Sequence, residues 1–281
     1  MHEIFYFTDV HGNYQLYKAA LDYCFNKDKN YTLIYGGDAC DRGLEGYKIM
    51  RELLDNPHVI YLKGNHEDMF VDAARFILNN YHGPTDDKTI KNYLYSLAIK
   101  DNCVSQIINC IYNGGFPTLA AWMAAGMPND FVTAIDKLPL TFSYENLDFC
   151  HAGAQYKIFE RVATDEHNGE LPDLDDATDL LWDRNMLSYG WKPGRICVYG
   201  HTPVRHLPSK YYGQDKSYAN IHPCKYIGQL DDRLTGAKIA MDVGTADTNK
   251  LYVLNCLTLK AQGFRYDEKN NMVEEIEVIQ L

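Results

Sequence analysis

Three polar clusters in the first seventy residues stand at nearly equal intervals: Asp9 to Asp38 is 29 residues and Asp38 to His66 is 28. One βαβ unit takes roughly 30 residues, so this spacing carries the chain through successive parallel strands, returning it each time to the same edge. The apolar pattern between the clusters agrees. Residues 4–7, 31–35 and 59–62 read as strands, and residues 15–26, 44–54 and 67–80 as helices. Strands in such an alternation are buried between helices, and ligands bind beyond their C-terminal ends. Each cluster falls at such an end.

Beyond residue 84 the pattern changes. Residues 88–100, 104–112 and 118–125 read as helices with Gly and Pro breaks between them, so 84–137 is expected to be a helical insertion within a single domain spanning 1–281. Strand signals return at 147–150, 195–199, 238–241 and 250–254, with a final strand over 272–279. The strands at 238–241 and 250–254 are expected to pair antiparallel through a turn at 244–250. Residues 153–180 and 205–235 read as polar loops. The second carries Tyr211, Tyr212, Tyr218 and Tyr226, and long loops in compact domains are often functional.

With 281 residues, 46% apolar and 23% charged, the chain has the composition of a globular protein and not a disordered one. A net charge of −11 and the absence of a basic tract speak against nucleic acid as a partner. The sequence opens on a strand, with no charged leader and no long apolar run. The expectation is therefore a cytoplasmic protein without a membrane partner, its oligomeric state open. The eight cysteines form no C-x-x-C pair. Cys150, Cys197 and Cys256 lie in strand-like runs and read as reduced core thiols, and Cys40 as a small loop residue.

The chemistry sits in five stretches: Asp9-Val10-His11-Gly12, Gly37-Asp38-Ala39-Cys40-Asp41-Arg42-Gly43, Gly64-Asn65-His66-Glu67, His151-Ala152-Gly153 and Gly200-His201-Thr202-Pro203. Asp9 and His11 are two residues apart past a strand, so both can reach one ion. Alone they read equally well as a helix cap with a loop histidine. Asp38 follows Gly36-Gly37, where a carboxylate can bridge two cations about 3.5–4 Å apart. Asp41 with Arg42 alone would be a helix cap and a surface arginine. Asn65 offers a carbonyl oxygen, and the adjacent His66 points elsewhere, which suits one ligand and one acid–base group. His151 and His201 each end an apolar strand before a tight turn, and neutral imidazoles bind Mn, Fe and Zn ions well. His2, His58, His82, His167, His206 and His222 lack that context and read as surface or loop residues.

Assembled, these residues resemble the PPP family of calcineurin-like metallophosphatases, whose motifs read GDxHG, GDxxDRG and GNHE, followed by two later histidines. Thr8 replaces the leading Gly of the first motif; the rest match. The bacterial and phage branch typified by lambda phosphatase is the most similar, through Asn113-Gly114-Gly115, Trp182-Asp183-Arg184, Gly200-His201-Thr202-Pro203 and Met241-Asp242-Val243-Gly244. The resemblance spans about residues 4 to 246. It implies an α/β fold: a β-sandwich of mixed sheets flanked by helices. It also implies two divalent metal ions, with Mn2+ expected and Fe, Zn or Co compatible. Asp9, His11 and Asp38 would hold one; Asp38, Asn65, His151 and His201 would hold the other. His66 would be the general acid, oriented by Asp41, and Arg42 and Arg184 would clamp the phosphoryl oxygens. Asp242 would support a ligand histidine or cap its own loop.

The implied activity is hydrolysis of phosphate monoesters by in-line attack of a metal-bridging hydroxide, with a phosphoprotein or a phosphorylated small molecule as substrate. Serine/threonine phosphatase activity leads. A dinucleoside polyphosphate or other nucleotide phosphohydrolase is the alternative. Related nucleases and phosphodiesterases often end in G-H-x-H, where this chain has Gly200-His201-Thr202-Pro203. Diadenosine tetraphosphate hydrolases tend to carry Gln where His11 stands. A catalytically dead binding module would have lost a ligand or the acid, and none is missing.

Overall fold

The computed structural model describes residues 2–99, 105–184, 189–207, 221–228 and 234–281. The alternation at the N-terminus produces three parallel strands: β1 (Ile4–Phe7), β2 (Thr32–Tyr35) and β3 (Val59–Tyr61). Helices α1 (Tyr14–Lys27), α2 (Gly46–Asp55) and α3 (Asn65–Asn80) follow them in turn. Alternate residues of β1 face opposite layers. Phe5 and Phe7 join the core under the helices, while Ile4 and Tyr6 join a second core with Phe149, Val198 and Ile239. Tyr6 stacks on Phe149 with ring centroids 5.4 Å apart, so a second sheet, and not a second layer of helices, covers that face. Each fully buried side chain of this size contributes roughly 1.5–3 kcal/mol.

The second sheet is built from β4 (Thr141–Tyr144), β5 (Leu147–Cys150), β6 (Ile196–Tyr199), β7 (Cys224–Tyr226) and β8 (Ala237–Ala240), in the order β4-β5-β6-β8-β7. The first sheet is completed by β9 (Lys250–Asn255), β10 (Lys260–Asp267) and β11 (Met272–Gln280), in the order β11-β10-β9-β1-β2-β3. Both sheets are mixed, as expected for the fold class.

The region after α3 is helical: α4 (Asp87–Ile99), α5 (Ser105–Tyr112), α6 (Phe116–Ala124) and α7 (Asn129–Asp136). Pro117 sits in the first turn of α6, where its missing N–H costs no bond. Trp122 of α6 and Phe131 of α7 both meet Phe70 of α3 edge-to-face, at 5.7 and 5.8 Å, which locks these helices onto α3.

Three expectations need correction. Residues 153–180 are not a loop; most of them form α8 (Tyr156–Asn168) and α9 (Leu174–Trp182). Ile158, Phe159 and Val162 make a buried stripe one helical turn long, short enough to be lost among polar neighbours. The strands at 238–241 and 250–254 do not pair. β8 lies beside β6 and β7, whereas β9 lies between β1 and β10, and the intervening α10 (Thr245–Thr248) carries the chain from one sheet to the other. A turn sequence looks the same whether the next strand doubles back or changes sheet. In the 205–235 stretch, the described part includes β7 with Tyr226 buried; Tyr211, Tyr212 and Tyr218 lie outside the described residues. Strands β4 and β10 and helix α7 were not anticipated. Among the described residues no helix is long and apolar enough to cross a membrane.

Candidate metal centre

The loops at the ends of β1, β2 and β6 bend so sharply that Asp9, His11, Asp38, Asp41, Arg42 and His201 all adopt left-handed backbone, with φ between 44 and 68°. Each such residue costs on the order of 1–2 kcal/mol. Strain is concentrated where side chains must converge. The strand ladder continues into the loops and holds them: Asp9 N–H donates to Gly37 O at 3.0 Å, His11 N–H to Asp38 O at 3.1 Å and Gly12 N–H to Ala39 O at 2.9 Å.

Glu67 then ties the second loop to the third. Its fully buried carboxylate accepts from the backbone N–H groups of Asp38 (2.8 Å), Ala39 (2.8 Å) and Gly64 (2.9 Å) and from the Tyr61 hydroxyl (2.8 Å). No role was foreseen for Glu67, although its place in the Gly64–Glu67 cluster was the available signal. Thr8 was noted only as a departure from the family motif. Here it is buried, and its hydroxyl donates to Asp9 Oδ2 at 2.5 Å. The His201 N–H donates to the same carboxylate, at 3.1 Å to Oδ1, so the ends of β1 and β6 meet at Asp9.

Two candidate ligand sets share Asp38: His11 and His66 on one side, His151 and His201 on the other, with ligand atoms within 4.8 Å of one another in each set. His11 Nδ1 faces Cys40 O at 3.0 Å and His151 Nδ1 faces Gly36 O at 2.8 Å. A carbonyl only accepts, so each Nδ1 carries the proton and a neutral ring presents a bare Nε2 to the site. His11 Nε2 lies 3.7 Å from Asp38 Oδ2, and His151 Nε2 lies 3.3 Å from Asp38 Oδ1. Asn65 Oδ1 is 3.0 Å from His151 Nε2 and 2.9 Å from His201 Nδ1. Acceptor atoms therefore crowd together, and a divalent cation would satisfy them at once. Nitrogen and oxygen donors of this kind suit Mn, Fe, Zn or Co.

The electrostatics point the same way. Asp9, Asp38, Asp41, Glu67 and Asp242 are five buried carboxylates around one small volume. Burial pushes Asp9 well above the usual carboxylate range, and Asp242 and Asp38 add to the push. Burial likewise moves Asp242 up to about 6. Burial also opposes the charge on Asp38, yet His151 and His66 outweigh it and hold Asp38 well below its ordinary value. On His151 burial disfavours the charge, but Asp38 overcomes this and lifts the imidazole to about 10, so without a cation Nε2 takes a second proton beside Asp38, at the place a divalent ion would fill. His201, desolvated beside His151, is lowered to about 3. Asp38 thus draws positive charge from both sides, as a carboxylate shared between two cations would.

His66 sits between a carboxylate and a guanidinium. Its Nδ1 is 2.7 Å from Asp41 Oδ2, and its Nε2 is 3.3 Å from Arg42 Nη2. The Arg42 side chain is exposed at the mouth of the site. Arg184, also exposed, donates to the Thr202 hydroxyl at 3.4 Å, beside His201. All ten sequence-predicted site residues are therefore within this neighbourhood. Cys40 is fully buried and its thiol is pushed up by burial, which leaves no nucleophile there. The seven cysteines among the described residues are all free and buried.

The model of the calcineurin-like phosphoesterase family matches residues 2–227. Serine/threonine-protein phosphatase 2 of Escherichia coli (strain K12) is 42% identical over 65 residues, a stretch covering 23% of this chain and 29% of that protein. Among solved structures, a serine/threonine phosphatase from Saccharomyces cerevisiae matches with a TM-score of 0.49 at 14% identity, covering 100% of this chain and 81% of that one. A cold-active protein-tyrosine phosphatase of a Shewanella species matches at 0.47 and 15% identity, covering 99% and 81%. A protein assigned as a diadenosine tetraphosphatase matches at 0.42 and 14% identity, covering 98% and 93%.

Proposed function

The chain belongs to the calcineurin-like phosphoesterase family, and on that premise we propose that it is a metal-dependent phosphomonoesterase acting on phosphoserine and phosphothreonine in proteins. The observation that carries this reading is Asp38, a buried carboxylate with one histidine set on each of its two faces. Asp9, His11 and Asp38 would hold one divalent ion, and Asp38, Asn65, His151 and His201 the other, with Mn2+ the expected metal. When bound, the pair supplies Lewis acidity and activates water near neutral pH.

The chain's own residues do the rest. Arg42 and Arg184 offer guanidinium donors whose planar geometry matches phosphoryl oxygens. Because Arg42 Nη2 lies 3.3 Å from His66 Nε2, a phosphoryl group gripped by Arg42 would sit next to that nitrogen. His66 gives the leaving oxygen its proton from Nε2. Asp41, on the opposite nitrogen, holds the ring and favours its protonated form. Asp38, Asp41 and His66 are buried, which strengthens the interactions among them.

The test is a substrate panel with purified protein and Mn2+. Release of inorganic phosphate from phosphoserine and phosphothreonine peptides is expected. Failure on every phosphopeptide combined with cleavage of diadenosine tetraphosphate would replace this reading by a nucleotide phosphohydrolase.

A further inference from the structure

Asp41 and Arg42 are consecutive residues in left-handed backbone, with φ of 68 and 64°. Few L-residues hold that conformation side by side without outside support. The support comes from the helical region. Asp41 N–H donates to the Thr118 hydroxyl at 3.1 Å, and Arg42 N–H donates to Gly114 O at 3.0 Å. Both acceptors lie where α5 passes into α6, about seventy residues further along the chain.

This connection is itself fixed. Gly114 N–H bonds Ile111 O at 3.0 Å and Gly115 N–H bonds Cys110 O at 2.9 Å, closing the end of α5. It has no room to spare. A Cβ on Gly114, whose φ is 95°, would lie 2.8 Å from Arg42 N, and one on Gly115 would lie 2.3 Å from Cys110 Sγ and 3.2 Å from Asp41 Oδ1. Thr118 is fully buried, so its hydroxyl is not a solvent group that happens to reach Asp41.

We propose that Gly114, Gly115 and Thr118 are positioning residues: the α5–α6 connection moulds the Asp41–Arg42 backbone, and through it aims the His66 partner and the phosphate-gripping arginine. This rests on the roles assigned to Asp41 and Arg42 above. It gives the helical region a part in positioning the site.

The test uses Gly114→Ala, Thr118→Val and Thr118→Ser in the Mn2+-loaded protein. Binding of inorganic phosphate is measured by calorimetry, alongside turnover of an aryl and an alkyl phosphate. Gly114→Ala is expected to weaken phosphate binding by about tenfold, through Arg42. Thr118→Val is expected to lower kcat for the alkyl ester by at least about tenfold more than for the aryl ester, because only the alkyl leaving group needs the Asp41–His66 pair. Thr118→Ser, which keeps the acceptor, should restore that ratio. A purely structural role predicts lower melting temperatures with phosphate affinity and leaving-group ratio unchanged in the folded variants, and that result overturns the proposal. Failure of Thr118→Ser to rescue does the same. Wild-type protein that binds phosphate but hydrolyses no ester would overturn the functional reading instead, and the calorimetric arm would still test this one.

Discussion

Glu67 offers the sharpest check on how the centre is held together. Glu67→Gln preserves shape and removes one formal charge. The carboxylate accepts four hydrogen bonds, two at each oxygen: Asp38 N–H and Gly64 N–H at Oε2, Ala39 N–H and the Tyr61 hydroxyl at Oε1. A glutamine can keep its oxygen at only one of these places. With oxygen at the Oε2 position, the amide nitrogen meets Ala39 N–H donor to donor, while the Tyr61 hydroxyl can rotate to accept. One charge-assisted bond is lost, worth about 1.5–3 kcal/mol, and the survivors weaken. Burial and the neighbouring Asp38 both oppose the charge on Glu67, so losing it returns part of that cost. The net expectation is a destabilisation of about 2 kcal/mol, which is about 3–4 °C in melting temperature for 281 residues. Because Asp38 and Ala39 move with the lost bond, Mn2+ affinity should fall roughly tenfold or more, as when a group supporting a ligand is removed. Thermal unfolding with and without Mn2+, together with a metal titration, reads both quantities. A melting temperature within about 1 °C of wild type and an unchanged Mn2+ affinity would refute the idea that Glu67 braces the site.

Asp38→Asn should abolish turnover and weaken metal binding at both positions, and appreciable activity in that variant would remove Asp38 from its bridging role. His66→Asn should reduce turnover of alkyl phosphates by about 10²–10⁴ while sparing aryl phosphates; equal losses on both would show that His66 is not the acid. Asp148→Ala should cost about 1–3 kcal/mol, because it strands the buried Trp191 indole N–H, which bonds Asp148 at 2.7 Å, while Arg195 keeps Glu145 O at 2.9 Å. The folded fraction should keep its kcat, and an altered kcat would mean that β5 transmits to the site more than this ion pair suggests. Adding Mn2+ at about a hundred times its dissociation constant should raise stability by about 2.7 kcal/mol for each site filled, and a chelator should reverse it. No shift in melting temperature would count against a native-state metal site.

The candidate site residues were readable because strand ends impose them at a spacing that survives in one dimension. Asp9, Asp38 and His66 recur at the length of a βαβ unit, and His151 and His201 each close an apolar run. Glu67 was visible as a letter but silent as a role, since its four partners come from two different loops and a strand. Helices α8 and α9 were lost to their polar faces, which outnumber the short buried stripe of Ile158, Phe159 and Val162.

Local pattern, read together with a family resemblance, therefore pointed to the candidate site residues and their order, and to the parallel start of the first sheet. Periodicity and ligand chemistry are properties of neighbours along the chain. Only the tertiary structure decided which sheet β9 joins, that Thr8 and the His201 amide both bind Asp9, and that the α5–α6 connection holds Asp41 and Arg42. Each of these depends on backbone groups far apart in sequence finding one partner in space. A backbone N–H or C=O is carried by nearly every residue, so its eventual partner leaves no mark on the sequence.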